Sequence, residues 1–281
     1  MKRLRLVLLA ACAFITSAQA QVHAVRAESR IPTALAEQGQ PVSLVLLTYR
    51  PPGPGPHPLV LFNHGSTGNG RDPERFRFVF DRPDVAQVFV DEGWMVAFLQ
   101  RRGRGGSGGL YDEGFNAGRS GYSCAAALSL PGVDRALADI DIGLRHLRGL
   151  SEVDARRVVV AGQSRGGILA IAFAGQHADL LGAINFAGGW LGDNCADGQT
   201  VNITTFRRGT AFKQPTLWLY GRNDAFYAEP NIRRNLAAFV DGGGRAEFQL
   251  FDLGAGQNGH RLIDHPELWR AAVRAYLSTL R

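Results

Sequence analysis

The chain has 281 residues, of which 45% are hydrophobic and 20% are charged, and its formal net charge is +6. This length provides enough apolar material for one large α/β domain or two small ones. The positive charges are scattered arginines rather than a basic helix or a stripe interleaved with aromatic residues, so nucleic-acid binding is not indicated.

Residues 1–20 have the pattern of a secretory signal peptide. Three basic residues precede an apolar stretch, Leu6 to Ile15, which is too short to span a bilayer, and small residues at 18 and 20 suit a signal peptidase. We expect cleavage after Ala20 and a periplasmic or secreted protein. Losing three positive charges and no acid lowers the net charge from +6 to about +3. A plain N-terminal helix is one alternative, and a lipobox-like segment ending at Cys12, which would leave a lipoprotein, is another.

Seven short apolar runs predict strands. Their apolar residues are continuous rather than alternating, which indicates burial on both faces, as in a parallel sheet covered by helices. The predicted strands are Val42–Tyr49, Leu59–Asn63, Trp94–Leu99, Val158–Ala161, Ala183–Phe186, Thr216–Tyr220 and Phe248–Phe251.

Segments of helical periodicity alternate with these strands. The predicted helices are Val133–Leu150, Gly167–Gln176, Asn231–Val240 and Glu267–Leu280. Strand–helix alternation of this kind predicts an α/β fold, a doubly wound and mostly parallel sheet flanked by helices. No linker-like change of composition divides the mature chain, so we expect one domain over residues 22–281.

Residues 103–131 do not fit the alternation. They include eight glycines and show neither strand nor helix periodicity. A loop of this length is either functional or disordered. It follows the carboxyl end of a predicted parallel strand, the edge at which such sheets bind ligands.

The segment Gly162–Gly166 matches the G-x-S-x-G pattern, with a buried strand before it and a helix after it. Such a turn holds the serine in a cramped backbone conformation, and the helix N-terminus behind it favours developing negative charge. We therefore predict Ser164 as a nucleophile; a purely structural glycine turn is the alternative.

A serine nucleophile needs a histidine base and an acid that orients it. In proteins with the G-x-S-x-G motif the order along the chain is serine, acid, histidine. His260 lies in a glycine-rich loop between the last strand and the last helix and is preferred to His265, which begins the final helix. Asp224 follows the next-to-last strand and is preferred to Asp252 and Asp264, although an Asx turn or helix cap is a common role for Asp.

Acyl chemistry also needs two donors for the oxyanion. The amide of Arg165 is one candidate. The loop after the Leu59–Asn63 strand supplies the amide of Ser66 as the other, and His64 in that loop is interpreted as structural.

Four motifs run in order through nearly all of the mature chain: FNHGSTG, GQSRGG, YGRND and NGH. In these motifs the sequence resembles the α/β-hydrolase superfamily, most closely its dienelactone-hydrolase-like branch, which borders the prolyl-oligopeptidase-type catalytic domains. The resemblance implies an α/β-hydrolase fold, and the length of the mature chain leaves no room for a large cap domain beyond the loop at residues 103–131. It implies Ser164 as nucleophile, Asp224 as acid and His260 as base. The amides of Ser66 and Arg165 would form the oxyanion hole.

The resemblance has one departure. The dienelactone hydrolases proper use a cysteine nucleophile, whereas this chain has serine, which points to a relative that hydrolyses esters or amides. We expect an exported serine hydrolase that cleaves small-molecule carboxylic esters, with no cofactor and no metal. No propeller-like N-terminal domain precedes the motifs, which favours esters over peptides. The alternatives are a serine peptidase or amidase and a catalytically silent binding protein on this scaffold; the oligomeric state is left open.

Arginines around the predicted site suggest an anionic or aromatic substrate. Arg101 and Arg102 follow the carboxyl end of a strand and are candidate substrate-binding residues, together with Arg104. The alternative is that these arginines pair with Asp112, Glu113 or Asp139 and only order the loop.

Two cysteines remain after removal of the leader, Cys124 and Cys195. An even pair in an exported protein favours one disulfide, which would pin the long loop to a later segment. Two separate buried thiols are the alternative. No cysteine or histidine spacing suggests a zinc site, and nothing in the mature sequence predicts a membrane span.

Overall fold

The computed structural model describes residues 23–280. The leader predicted for residues 1–20, including Cys12, lies outside the described residues. Within them, no helix has both the length and the apolar character needed to cross a membrane.

A single eight-stranded sheet forms the centre of the molecule. Its strands are β1 (Val25–Glu37), β2 (Gln40–Arg50), β3 (His57–Asn63), β4 (Met95–Gln100), β5 (Val153–Gln163), β6 (Gly182–Phe186), β7 (Thr216–Gly221) and β8 (Ala246–Phe251). They lie in the order β1-β2-β4-β3-β5-β6-β7-β8. The β1–β2 and β2–β4 pairs are antiparallel and all others are parallel. The predicted mostly parallel sheet is confirmed.

Helices cover both faces of the sheet. They are α1 (Pro83–Val90), α2 (Ala126–Arg148), α3 (Arg165–Ala174), α4 (Gly198–Arg207), α5 (Glu229–Asp241) and α6 (Pro266–Ser278). Apolar side chains of α1 and α6 pack in one hydrophobic cluster, and those of α2 to α5 pack in a second. The two clusters share the sheet between them, which is the doubly wound arrangement that strand–helix alternation predicts.

Strand β1 and helices α1 and α4 are not predicted from the sequence. Most side chains of β1 are exposed, because this edge strand pairs only with β2, so it lacks an apolar run. Helix α4 is rich in threonine, glycine and asparagine, which have low helix propensity, and packing of Val201 and Phe206 stabilises it.

The long loop is shorter than predicted. Helix α2 begins at Ala126 and contains Pro131, so the predicted loop end at Pro131 is wrong by six residues. The irregular segment that precedes α2 is held by turns and by one isolated bridge between Phe115 and Tyr122.

The parallel strands place the candidate residues along one edge of the sheet. Ser66, Ser164 and Asp224 lie just beyond the carboxyl ends of β3, β5 and β7, and His260 lies in the longer loop that follows β8. This is the edge where open α/β sheets bind ligands.

Candidate active site

A sharp turn joins β5 to α3 and carries Ser164. Its φ is 57° and its ψ is −122°, and a positive φ is uncommon in residues other than glycine and clusters at functional sites. The turn packs closely on β3, because a Cβ built on Gly166 would lie 2.0 Å from the carbonyl oxygen of Asn63. Glycine at 166 is therefore required for this approach.

His260 and Asp224 form a hydrogen-bonded pair between two loops. Nδ1 of His260 lies 2.9 Å from Oδ2 of Asp224. The other carboxylate oxygen accepts hydrogen bonds from the amides of Phe226 and Tyr227 at 2.8 and 3.1 Å. The Asp224 side chain is fully buried and that of His260 is 12% exposed. A carboxylate acceptor at Nδ1 keeps the proton there, which leaves Nε2 as the basic nitrogen.

Asn258 fixes these two loops relative to each other. Its Oδ1 accepts hydrogen bonds from the amides of Ala225 at 2.9 Å and His260 at 3.0 Å. One of these amides is next to Asp224 and the other belongs to the histidine itself. Asn258 is not among the predicted site residues; its signal is the Asn-Gly-His sequence, in which asparagine caps the short 3₁₀ helix Gly259–Asp264.

Ser164 and His260 line one cavity of about 670 Å³, a volume typical of sites for small molecules. Four aromatic side chains also line it: Tyr122, Trp190, Phe226 and Tyr227. These residues come from three different loops and are not predicted from the sequence.

The two candidate oxyanion donors both lie close to the nucleophile. Arg165 is the first residue of α3, and the first amides of a helix have no acceptor within it. Ser66 lies in the loop after β3, where a Cβ built on the neighbouring Gly65 would be 3.0 Å from the Cβ of Ser164. Both Ser66 and Arg165 line the cavity.

Arg101 and Arg102, the predicted substrate-binding residues, do not line the cavity. Arg101 is 1% exposed, and its Nε donates to Glu113 at 2.5 Å. Arg102 is also buried and pairs with Asp139 at 2.6 Å and with Glu37 at 2.9 Å. The alternative interpretation, ordering of the loop, is what the contacts support, because both guanidinium groups are already satisfied inside the protein.

The Arg165 side chain likewise contacts aromatic rings and carbonyl oxygens of the protein. Its guanidinium carbon lies 3.8 Å from the ring centre of Tyr122 and 4.4 Å from that of Trp190. It donates hydrogen bonds to the carbonyl oxygens of Glu113 and Trp190 at 2.7 and 3.1 Å. Two aromatic walls of the cavity are therefore held by one stacked cation.

Glu113 is the central carboxylate of a buried network beneath the cavity. It accepts from Arg101 and, at 3.2 Å, from the Tyr111 hydroxyl. Burial alone would raise the pKa of Glu113, but Arg101 and two further arginines, Arg165 and Arg104, outweigh it and lower that pKa. Glu113 is therefore held as an anion.

Two arginines also hold the carbonyl groups of the loop after β3. Arg101 donates from both terminal nitrogens to the His64 carbonyl oxygen at 3.1 Å. Arg104 donates to the Gly65 carbonyl oxygen at 3.3 Å. The second of these carbonyls belongs to the peptide group whose N–H is the Ser66 amide.

Arg71 is a charged residue that lines the cavity and is not predicted from the sequence. It is exposed and lines the cavity, and within residues 23–280 it makes no ion pair. None of the described residues that line this cavity is Asp or Glu. The cavity therefore has a positive rim.

A disulfide joins Cys124 to Cys195, with their Cα atoms 4.9 Å apart, which confirms the predicted pairing. Both cysteines line the cavity. The bridge connects the end of the long loop to the segment before α4 and forms part of one wall.

Comparison with known proteins gives one family match. The family model described as the dienelactone hydrolase family matches residues 47–256. No curated protein matches this chain.

Many solved structures share the fold. An esterase from Pyrococcus furiosus has 18% sequence identity and a TM-score of 0.64, with 92% of this chain and 91% of that chain covered. The acetyl xylan esterase from Paenibacillus sp. R4 also has 18% identity, with a TM-score of 0.60 and coverage of 92% and 89%. The acylaminoacyl peptidase of Pyrococcus horikoshii has 15% identity and a TM-score of 0.62; the match covers 92% of this chain and 41% of the peptidase. At these identities the similarity shows the fold, that of the α/β hydrolases, and residues 23–280 contain no large cap domain.

Proposed function

This chain belongs to the dienelactone hydrolase family, and from that premise we propose that it is a carboxylic ester hydrolase in which Ser164, His260 and Asp224 form a catalytic triad. The observation that carries the proposal is the 2.9 Å contact of Asp224 with His260, a histidine that lines the same cavity as Ser164 on its strained turn.

In the proposed reaction, the Ser164 hydroxyl oxygen attacks the acyl carbon and His260 takes its proton at Nε2. Asp224 orients the ring and stabilises the imidazolium that forms. The amides of Ser66 and Arg165 donate to the oxyanion. An acyl-enzyme results, and water activated by His260 releases the acid.

Labelling and hydrolysis test this proposal together. The wild-type protein should react with a fluorophosphonate probe and hydrolyse p-nitrophenyl esters. Ser164→Ala should lose the label and lower kcat by at least about 10⁴-fold, because the triad acts as a unit. Unchanged thermal unfolding of the variant is the control for folding.

Three outcomes would contradict the ester hydrolase. Equal labelling of Ser164→Ala would show that the probe reacts elsewhere. A wild-type protein that neither labels nor hydrolyses any ester would favour a silent binding protein. Faster cleavage of aminoacyl amides than of matched esters would favour the peptidase alternative, which the fold shared with an acylaminoacyl peptidase also allows.

The positive rim supports a preference for anionic esters, and we propose Arg71 as the residue that provides it. An exposed charge pair contributes about 0.2–1 kcal/mol, so Arg71→Gln should lower kcat/KM by about 1.4- to 5-fold for a hemisuccinate ester. The neutral ester with the same leaving group is the internal control and should be unaffected. Equal changes for both esters would contradict the proposal.

We also propose that the protein is exported by means of residues 1–20, with a mature chain beginning near Gln21. The disulfide supports this, since disulfides persist mainly in oxidising compartments. N-terminal sequencing of protein from the periplasm or medium tests it. Protein retained in the cytoplasm with its leader would contradict export, and a lipid attached to Cys12 would indicate a lipoprotein.

A further inference from the structure

Tyr227 brings a hydroxyl group next to the nucleophile. The residue is buried, 4% exposed, and lines the cavity. Burial, and then the charge of Asp224, raise the pKa of this phenol, and smaller opposing contributions from the Arg165 charge and from contact with the Ser164 side chain do not offset them. The phenol therefore keeps its proton near neutral pH and can act as a hydrogen-bond donor beside the Ser164 oxygen.

The position of Tyr227 is tied to the triad. Its amide donates to Oδ1 of Asp224 at 3.1 Å, and its ring centre lies 5.5 Å from that of His260. The ring packs on backbone, because a Cβ built on Gly189 would lie 2.4 Å from it. Gly189 in turn donates its amide to the Ser164 carbonyl oxygen at 3.3 Å.

The sheet order shows on which side of the nucleophile this hydroxyl lies. Strands β3 and β6 flank β5 on opposite sides. The Ser66 amide belongs to the loop after β3, whereas the Tyr227 ring packs on Gly189, three residues beyond β6. The phenol thus approaches Ser164 from the side away from the Ser66 amide and near the His260 ring.

We propose that Tyr227 is a further catalytic residue, whose hydroxyl donates a hydrogen bond to the leaving-group oxygen of the ester. The inference rests on the proposed ester hydrolase activity. In a tetrahedral intermediate the leaving oxygen and the Ser164 oxygen share one carbon, so a donor beside one of them can reach the other. The oxyanion occupies the opposite side, at the Ser66 amide.

The collapse of this intermediate defines what Tyr227 does. The bond between the acyl carbon and the leaving oxygen breaks, its electron pair stays on that oxygen, and the proton on His260 Nε2 passes to it. Tyr227 keeps its own proton and stabilises the negative charge that develops before this transfer is complete. Its contribution should therefore increase with the basicity of the leaving group.

The test varies the leaving group at a constant acyl group. For Tyr227→Phe and wild type, kcat/KM, which reports acylation, is measured for a p-nitrophenyl, a phenyl and an ethyl ester. We expect less than a threefold loss for the p-nitrophenyl ester and about a 10- to 100-fold loss for the ethyl ester, since one hydrogen bond to developing charge is removed.

Two controls accompany Tyr227→Phe. Tyr49→Phe removes a tyrosine hydroxyl that bonds to Asp81 outside the cavity, and should leave all three rates near wild type. Fluorophosphonate labelling of Tyr227→Phe reports that the triad is still assembled.

Two results would overturn the inference. One is a loss that is equal for all three leaving groups, and the other is no loss at all. If the wild-type protein hydrolyses none of the esters and Ser164 does not label, the proposed function itself fails, which is a different result from a leaving-group-independent loss in an active enzyme.

Discussion

Glu113 shows how one carboxylate organises several arginines around the candidate site. Its side chain is 3% exposed and lies within ion-pair distance of Arg101 and Arg165, at 2.5 and 3.8 Å. Arg101 also holds the His64 carbonyl group of the loop that carries Ser66. The arginines after β4 therefore support the cavity from beneath instead of facing a substrate.

Glu113→Gln should lower the free energy of unfolding by about 3–5 kcal/mol, because it leaves buried guanidinium groups without their charge partner. Urea unfolding measures this change. The control is Asp112→Asn, which affects an exposed ion pair with Arg119 and should cost less than about 1 kcal/mol. Equal effects of the two variants would contradict the role assigned to Glu113.

Sequence patterns reveal some of these residues and miss others for a physical reason. Ser164 and Asp224 are recognisable because each closely follows a buried strand, so the sheet determines where each is placed, and His260 is recognisable from its loop between the last strand and the last helix. Arg101 also follows a strand, but its direction is set by Glu113, twelve residues further along in an irregular loop. Tyr227 similarly depends on loop packing, which no local periodicity records.

At the scale of elements, burial in the core distinguishes the strands that the sequence predicts from the elements that it does not. The seven predicted strands are mostly buried on both faces or packed against the core, so their apolar runs are continuous. Strand β1 is an exposed edge and α4 has weak intrinsic propensity. Strand β1 therefore has no apolar run, and α4 depends on packing against elements distant in sequence, so single-sequence periodicity detects neither.

The disulfide links the loop before α2 to the segment before α4. It closes a loop with a sequence separation of 71 residues. In the chain-entropy description, a cross-link of this span restricts the unfolded chain and stabilises the fold by roughly 2–4 kcal/mol.

The double variant Cys124→Ser, Cys195→Ser should therefore unfold at lower urea concentration, and its KM should rise because both cysteines line the cavity. Reductant should destabilise the wild-type protein by a similar amount and leave the double variant unchanged. An effect of reductant on the double variant would assign the change to something other than this bridge.

At the scale of the whole molecule, the buried arginines couple stability to pH through His64. Its Nδ1 lies 2.8 Å from the Gly65 carbonyl oxygen and its Nε2 accepts the Arg101 amide at 3.2 Å. Because Nε2 accepts a hydrogen bond and Nδ1 faces a carbonyl oxygen, the single ring proton must lie on Nδ1. A second proton, on Nε2, would break the hydrogen bond from the Arg101 amide. Burial first, and then the charges of Arg101 and Arg104, lower the pKa of His64 well below 6.5.

Because the native state keeps His64 neutral, the unfolded chain binds one more proton below the unperturbed pKa of about 6.5. Stability then rises with pH, and it falls as the pH is lowered through 6.5. We expect the free energy of unfolding to fall by about 1 kcal/mol between pH 7 and pH 5.5 from this group alone.

Burial also lowers the pKa of His177, so the measurement is made in a His177→Gln background. Urea unfolding at pH 5.5, 6, 6.5 and 7 should still show the His64 slope there. Adding His64→Gln, whose amide can donate to one partner and accept from the other, should remove it. A flat profile in the His177→Gln protein would show that His64 is protonated in the native state, and the hydrogen bonds assigned to its neutral ring would then be wrong.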